Sequence, residues 1–111
     1  MHRVYYLLWL KHMGLSSNSK FLEALDYFGS PEELFEADRE AYEESSMFNV
    51  KELNYLCLKD TSWVEKEIEL CNKNRVYLVD YYSKYYPPLL RKTPEPPLVL
   101  YVLGDKSCLT S

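Results

Sequence analysis

A run of six apolar residues, Leu98 to Leu103, most constrains what this chain can fold into. Pro94, Pro96 and Pro97 precede it, and because proline does not pair in the interior of a sheet, the strand begins after them. A strand that is apolar at every position is typical of a sheet covered on both faces, as in parallel α/β domains. A parallel sheet needs further strands and crossover helices. We therefore expect this chain to be the first part of a larger α/β protein.

Upstream of the run, hydrophobic periodicity predicts four to six short helices. The first two are Tyr5 to Met13 and Ser19 to Phe28, and each is followed by a glycine that can end a helix. Capping residues mark where the later helices begin. The expected N-caps are Ser30, with Glu33 reaching back to it, Asp38, Asn49, with Glu52 in the same role, and either Thr61 or Ser62.

The period of the apolar residues changes after Asn74. The sequence there predicts a strand at Val76–Val79, a single helical turn at Leu89–Arg91 and the strand Leu98–Leu103. We therefore place a boundary between a helical domain at residues 1–74 and the start of a second domain at residues 75–111.

The formal charge of the chain is -4, and it is unevenly distributed. Seven acidic residues and one arginine lie between Glu32 and Glu44, whereas residues 63–111 carry six acidic and seven basic residues. The acidic helices would repel a phosphate backbone, so we do not expect them to bind nucleic acid. Their glutamates recur at spacings of three and four, which is typical of a solvated helix face and not of catalytic carboxylates.

No motif for catalysis, metal binding or nucleotide binding is visible in the sequence. His2 and His12 lack partners at metal-ligand spacing, serine and cysteine lack a histidine base, and no glycine-rich phosphate loop occurs. We therefore expect no cofactor, no metal and no enzymatic activity. The cysteines Cys57, Cys71 and Cys108 are odd in number and lack Cys-x-x-Cys spacing, which favours reduced thiols. With no secretory signal and no membrane-spanning stretch, this predicts a cytoplasmic protein with no membrane partner.

Five tyrosines lie close together in the sequence: Tyr77, Tyr81, Tyr82, Tyr85 and Tyr86. Aromatic rings of this kind stack on bases in proteins that bind single-stranded nucleic acid. Tyrosine also buries a large ring at the margin of a core or against a neighbouring domain. Both interpretations stay open, and we favour packing.

The tail of the sequence resembles a known family. Tyr86-Pro87-Pro88-Leu89-Leu90-Arg91, followed by Pro94-Glu95-Pro96-Pro97 and the strand to Gly104-Asp105, looks like the entry to the extended Rossmann domain of DNA-processing protein A (DprA, also called Smf). Residues Phe21 to Ala37, with the turn Phe28-Gly29-Ser30-Pro31-Glu32, resemble the family's N-terminal helical module. Both occur in the family's order, and the resemblance covers essentially all 111 residues.

The resemblance implies a fold that is mainly α. A SAM-like or helix-hairpin-helix-like module is followed by the first strands of an incomplete extended Rossmann (α/β) domain. It also implies a function, because DprA proteins bind single-stranded DNA, commonly in natural transformation and competence, and load the recombinase RecA onto it. The family grips phosphate with a Gly-Ser-Arg loop after the next strand, beyond Ser111. No residue of that loop can be assigned in this chain.

The hairpin between the first two predicted helices is a second candidate for DNA contact. Helix-hairpin-helix modules approach a phosphate with the backbone of a Gly-x-Gly turn. Here Gly14 matches, but Ser16 replaces the second glycine. Ser17, Asn18 and Lys20 are donors within reach of such a phosphate, so Gly14, Ser17 and Lys20 are the DNA-binding candidates. The ordinary interpretation, a capped hairpin that links two helices, is favoured.

A different class of function also fits the sequence. The acidic helical half indicates a self-standing helical module that binds a protein partner and not DNA. A nucleotide-processing Rossmann enzyme is disfavoured because only fold analogy supports it. Without neighbours, the strand Leu98–Leu103 would expose apolar surface and an unpaired edge. We therefore expect self-association, or disorder after about Asn74.

Overall fold

The computed structural model describes residues 3–13 and 18–103. Within them the chain is mainly helical with a small antiparallel sheet, and it forms, in order, α1 (Arg3–His12), α2 (Asn18–Phe28), α3 (Pro31–Glu36), α4 (Arg39–Glu44), α5 (Val50–Leu58), α6 (Ser62–Lys73), β1 (Val76–Asp80), α7 (Pro88–Arg91) and β2 (Val99–Leu103). The predicted helices and both predicted strands are therefore confirmed in position. None of the helices in this part of the chain is both long and apolar enough to cross a membrane.

α1 forms the centre of the hydrophobic core. Tyr5 and Leu7 to Leu10 are each at most 8% exposed, so the helix is buried on nearly every side. The indole of Trp9 lies 4.7 Å from the ring of Phe35 and 5.8 Å from that of Tyr55. Helices α2 to α6 pack around α1 with the buried residues Phe21, Leu25, Leu34, Tyr42, Leu53, Leu56 and Val64.

Three of the predicted N-caps are confirmed. Side-chain oxygens of Ser30, Asp38 and Asn49 accept hydrogen bonds from the third residue of their helices, at 3.1, 2.9 and 2.8 Å. At Asn49 the box is complete, because the Glu52 carboxylate accepts from the Asn49 backbone N–H at 2.8 Å. These local bonds set where α3, α4 and α5 begin.

Of the two residues predicted to cap α6, Thr61 occupies the N-cap position, but its side chain makes no capping hydrogen bond. Asp60 takes that role, because its Oδ1 accepts from the backbone N–H of Ser62 at 3.1 Å and from the Ser62 hydroxyl at 2.8 Å. These hydrogen bonds lower the pKa of Asp60.

Lys59 joins the end of α5 to the connection between α3 and α4. Its ammonium donates to the carbonyl of Phe35, to that of Ala37 at 2.9 Å and to the Tyr42 hydroxyl at 2.7 Å. Burial lowers the pKa of Lys59 and raises that of Tyr42. The lysine therefore satisfies carbonyls at the end of α3 that the helix leaves without donors.

The two strands pair antiparallel, with Val76 opposite Leu103 and Asp80 opposite Val99. The expectation of a strand covered on both faces, as in a parallel sheet, is wrong for this pair. Val99 is buried, but Tyr101 is 42% exposed and Leu103 78% exposed. The segment between the strands reverses the chain without a crossover helix, which makes neighbouring strands antiparallel. Val99 belongs to the same core as α1, so the chain after Asn74 packs on the helices.

Candidate functional site

The structure describes one of the three predicted DNA-binding residues. Gly14 and Ser17 lie outside the described residues. Lys20 lies in the first turn of α2, and its Nζ is 3.0 and 3.2 Å from the two carboxylate oxygens of Glu52 in α5. The side chain of Lys20 is 34% exposed and that of Glu52 only 7%.

This ion pair limits the ability of Lys20 to bind a DNA phosphate. The Glu52 carboxylate holds the lysine and also accepts the backbone hydrogen bond from Asn49. Removing the cation would leave a nearly buried carboxylate without its counter-charge, which is strongly unfavourable. A DNA phosphate would have to compete with Glu52 for the ammonium. The geometry therefore favours a structural link between α2 and α5.

The proline-rich segment from Tyr86 to Pro97, which resembles the DprA family, is part of a closed turn between β1 and β2. Arg91 Nη2 donates to the carbonyls of Tyr81 at 2.6 Å and Ser83 at 3.2 Å. The guanidinium also lies 5.3 Å from the ring centroid of Tyr81 and 5.2 Å from that of Tyr86. Tyr86 is 1% exposed, and its hydroxyl donates to the Pro97 carbonyl at 2.8 Å. Arg91 and Tyr86 thus hold the connector that leads into β2.

Asp80, the last residue of β1, ties this turn to α1. Its Oδ1 accepts from the backbone N–H of Tyr82 at 2.8 Å and lies 2.9 Å from Nε of Arg3. The Arg3 guanidinium is also 5.9 Å from the ring centroid of Tyr82. Arg3 and Arg91 are therefore both engaged within the protein, and a phosphate arriving at the turn would have to displace these contacts.

The tyrosine cluster packs mainly against its own turn. The ring of Tyr81 meets those of Tyr82 and Tyr86 edge-on, at interplanar angles of 85° and 61°. Edge-to-face contacts of this kind are packing geometry and do not form a row of parallel rings for successive bases. Tyr77 and Tyr82 remain 45% and 43% exposed. Burial raises the pKa values of Tyr82 and Tyr86.

The histidines, cysteines and carboxylates were the remaining candidates for a metal site. Within residues 3–13 and 18–103, no group of three His, Cys, Asp or Glu side chains is placed to hold a metal ion. His12 stacks on Trp63 with ring centroids 4.5 Å apart and an interplanar angle of 11°. Cys57 and Cys71 are free thiols, and burial raises the pKa of Cys71. His2 and Cys108 lie outside the described residues.

Sequence reasoning missed the two contacts that organise the turn. Arg91 binds backbone carbonyls, which every residue carries, so no residue type marks its partners. Arg3 and Asp80 are far apart in the sequence, and nothing in the local sequence connects them. Both arginines would otherwise be taken for free surface cations.

Comparison of the chain with family models, curated proteins and solved structures finds no match. The function of the chain therefore has to be inferred from its own residues, including Lys20, and from the geometry of the turn between β1 and β2.

Proposed function

We propose that this chain is the N-terminal part of a DprA-like protein that binds single-stranded DNA and loads RecA onto it. The observation that carries the proposal is the order of the elements. A helical module, α1 to α6, is followed by β1, the closed turn with its proline-rich connector, and β2. In this proposal the helices are the SAM-like module, and the strands begin an extended Rossmann domain.

The exposed end of the sheet supports a continuation of the fold next to β2. Tyr101 and Leu103 leave apolar surface uncovered, and in the described part of the chain β2 has one strand neighbour, β1. An exposed apolar strand with an open edge is a place where a further strand or helix packs. A larger Rossmann sheet would cover both the edge and the apolar surface.

The proposal places the DNA site outside the helical module. The stretch from Glu32 to Glu44 is strongly acidic, and Lys20 is paired with Glu52. Arg3 and Arg91 bind groups of the protein. The family resemblance assigns phosphate binding to a Gly-Ser-Arg loop beyond Ser111. The 111-residue chain alone is therefore expected to bind DNA weakly.

Fluorescence anisotropy with a labelled oligothymidylate tests this directly. The protein encoded by the complete reading frame should bind at low ionic strength and lose affinity as salt is added, whereas the 111-residue chain should bind weakly. The complete protein should also accelerate RecA assembly on DNA already covered by a single-strand binding protein. If the complete protein does not bind single-stranded DNA at low salt, the proposal is wrong.

A helical protein-interaction module is the second candidate. The observation that favours it is the acidic surface of α3 and α4, where Glu40 and Glu44 are exposed. In that case the complete protein would bind no DNA, and a basic protein partner would be lost on Glu40→Lys and Glu44→Lys substitution. A partner that binds these variants as well as wild type would contradict it.

A further inference from the structure

A groove of about 660 Å³ lies between α1, α6 and β1. Its size is within the range of protein sites that enclose a ligand or a few side chains. α6 faces the groove with positions three and four apart, which share one side of a helix. The lining residues are Glu65, Ile68, Glu69 and Asn72 from α6, Val4 and Tyr5 from α1, and Val76, Tyr77 and Leu78 from β1.

The groove combines an apolar floor with an acidic rim. Val4, Ile68 and Leu78 pack against the core but are only partly buried, so part of their apolar surface faces the groove. Glu65 and Glu69 are exposed at the rim. Glu65 accepts from the Tyr5 hydroxyl at 3.4 Å, whereas no side chain in the described part of the chain pairs with Glu69. Such a groove suits an apolar group next to a cation and repels phosphate.

The helical turn α7 presents that combination on its surface. Leu89 is 80% exposed. Lys92 follows three residues later, at a spacing that places both side chains on one side of the turn. Lys92 is also exposed, and it forms no ion pair within residues 3–13 and 18–103. The neighbouring Arg91 is held by the carbonyl of Tyr81, which keeps α7 in place.

Neither Leu89 nor Lys92 of α7 lines the groove of its own molecule. The groove lies at the end of β1 that begins with Val76. α7 follows the turn at the other end of the strand, beyond Asp80, and Arg91 anchors it there. The cationic, apolar turn and the acidic groove of one molecule are therefore not in contact, and a second molecule can bring the two surfaces together.

We propose that α7 of one copy of this chain binds in the α1–α6–β1 groove of a second copy. Leu89 then covers the apolar floor, and Lys92 lies against Glu65 and Glu69. This contact is separate from the DNA-processing function and does not depend on it. The two surfaces are different, so the association is head-to-tail and can continue beyond a dimer. The interface is small, so the association is weak and reversible.

Sedimentation velocity of the full chain over a concentration series tests the contact. Wild type should show a sedimentation coefficient that rises with concentration, and added salt should lower it. Glu69→Lys alone and Lys92→Glu alone should each prevent association, because like charges then face each other. Leu89→Ser should weaken association about tenfold or more through lost apolar burial.

Charge exchange separates this contact from general electrostatic repulsion. A chain carrying Glu69→Lys and Lys92→Glu together should associate again, and so should an equimolar mixture of the two single variants. Glu23→Lys and Lys51→Glu reverse exposed charges outside both surfaces and should associate as wild type does. Circular dichroism shows that each variant is folded.

Several results would overturn the proposal. One is a wild type that remains monomeric at every concentration. Another is a pair of single variants that behave like the two control variants, or a double variant that does not recover association. Association that persists in Glu69→Lys, Lys92→Glu and Leu89→Ser would equally exclude this contact.

Discussion

Replacing Arg91 by methionine should destabilise the protein, because the guanidinium holds the turn between the strands. It donates to the carbonyls of Tyr81 and Ser83 and lies against two tyrosine rings. A hydrogen bond to a charged group contributes about 1.5–3 kcal/mol, and a cation–π contact about 0.5–1 kcal/mol at an exposed site. These contacts share one partly exposed group and do not add. We therefore expect a loss of about 2–4 kcal/mol in the free energy of unfolding.

Urea denaturation followed by circular dichroism measures this loss as a lower midpoint at an unchanged slope. Arg91→Lys should be intermediate, since one ammonium does not reproduce the fork of the guanidinium. Arg39→Met is the matched control, because Arg39 is exposed and its contacts are long, at 4.0 Å to the Glu43 carboxylate and 3.8 Å to Cys57 Sγ. It should change stability by less than about 0.5 kcal/mol. An Arg91→Met protein as stable as Arg39→Met would show that the turn does not depend on the guanidinium.

Three further outcomes are expected. Lys59→Met leaves the Ala37 carbonyl without its donor and removes one of the two donors of the Phe35 carbonyl, which also accepts from the Tyr42 hydroxyl at 3.3 Å. It should cost about 1–3 kcal/mol in urea denaturation, while Lys51→Met, at an exposed position of α5, should have little effect. Burial raises the pKa of Tyr55 from 10.0 to about 12, so the folded state favours the neutral phenol. That stabilisation is complete below pH 10 and is lost as the pH rises toward 12. The stability of wild type should therefore fall more steeply over this range than that of Tyr55→Phe, and equal slopes would contradict it. Gly29 has φ of +103°, and the Glu33 carboxylate occupies the space that a Cβ at this position would need. Gly29→Ala should therefore lower the thermal midpoint of unfolding by about 4–8 °C. An unchanged midpoint would show that the end of this helix adapts to the added methyl group.

The parts of the fold that depend on neighbouring residues could be predicted from the sequence. Asn49 and Glu52 are three residues apart, and their reciprocal hydrogen bonds mark the start of α5 in the sequence as clearly as in the structure. At α6 the N-cap position Thr61 was predicted, but the acceptor of the hydrogen bonds there is the preceding residue, for an equally local reason. Asp60 stands directly before two plausible caps, Thr61 and Ser62, and its carboxylate is the stronger acceptor.

Whether the candidate residue Lys20 is free to bind DNA could not be predicted from the neighbouring residues in the sequence. The sequence does not show whether a lysine near a glycine turn faces solvent or a carboxylate. Lys20 and Glu52 are thirty-two positions apart, so only the packing of α2 against α5 brings them together. The same holds for Arg3 and Asp80, whose ion pair exists because β1 ends beside α1.

The sequence by itself determined which segments are helices and strands, where most of them begin, and that the chain carries an acidic half. These properties follow from periodicity, caps and charge, which act over a few residues. Only the tertiary structure decided that β1 and β2 pair antiparallel, that Leu103 remains exposed, and that α1, α6 and β1 enclose a groove. The sequence shows that a residue is apolar but not whether another part of the chain covers it. Which apolar surface is buried, and which charges are neutralised, therefore depends on contacts between residues that are distant in the sequence.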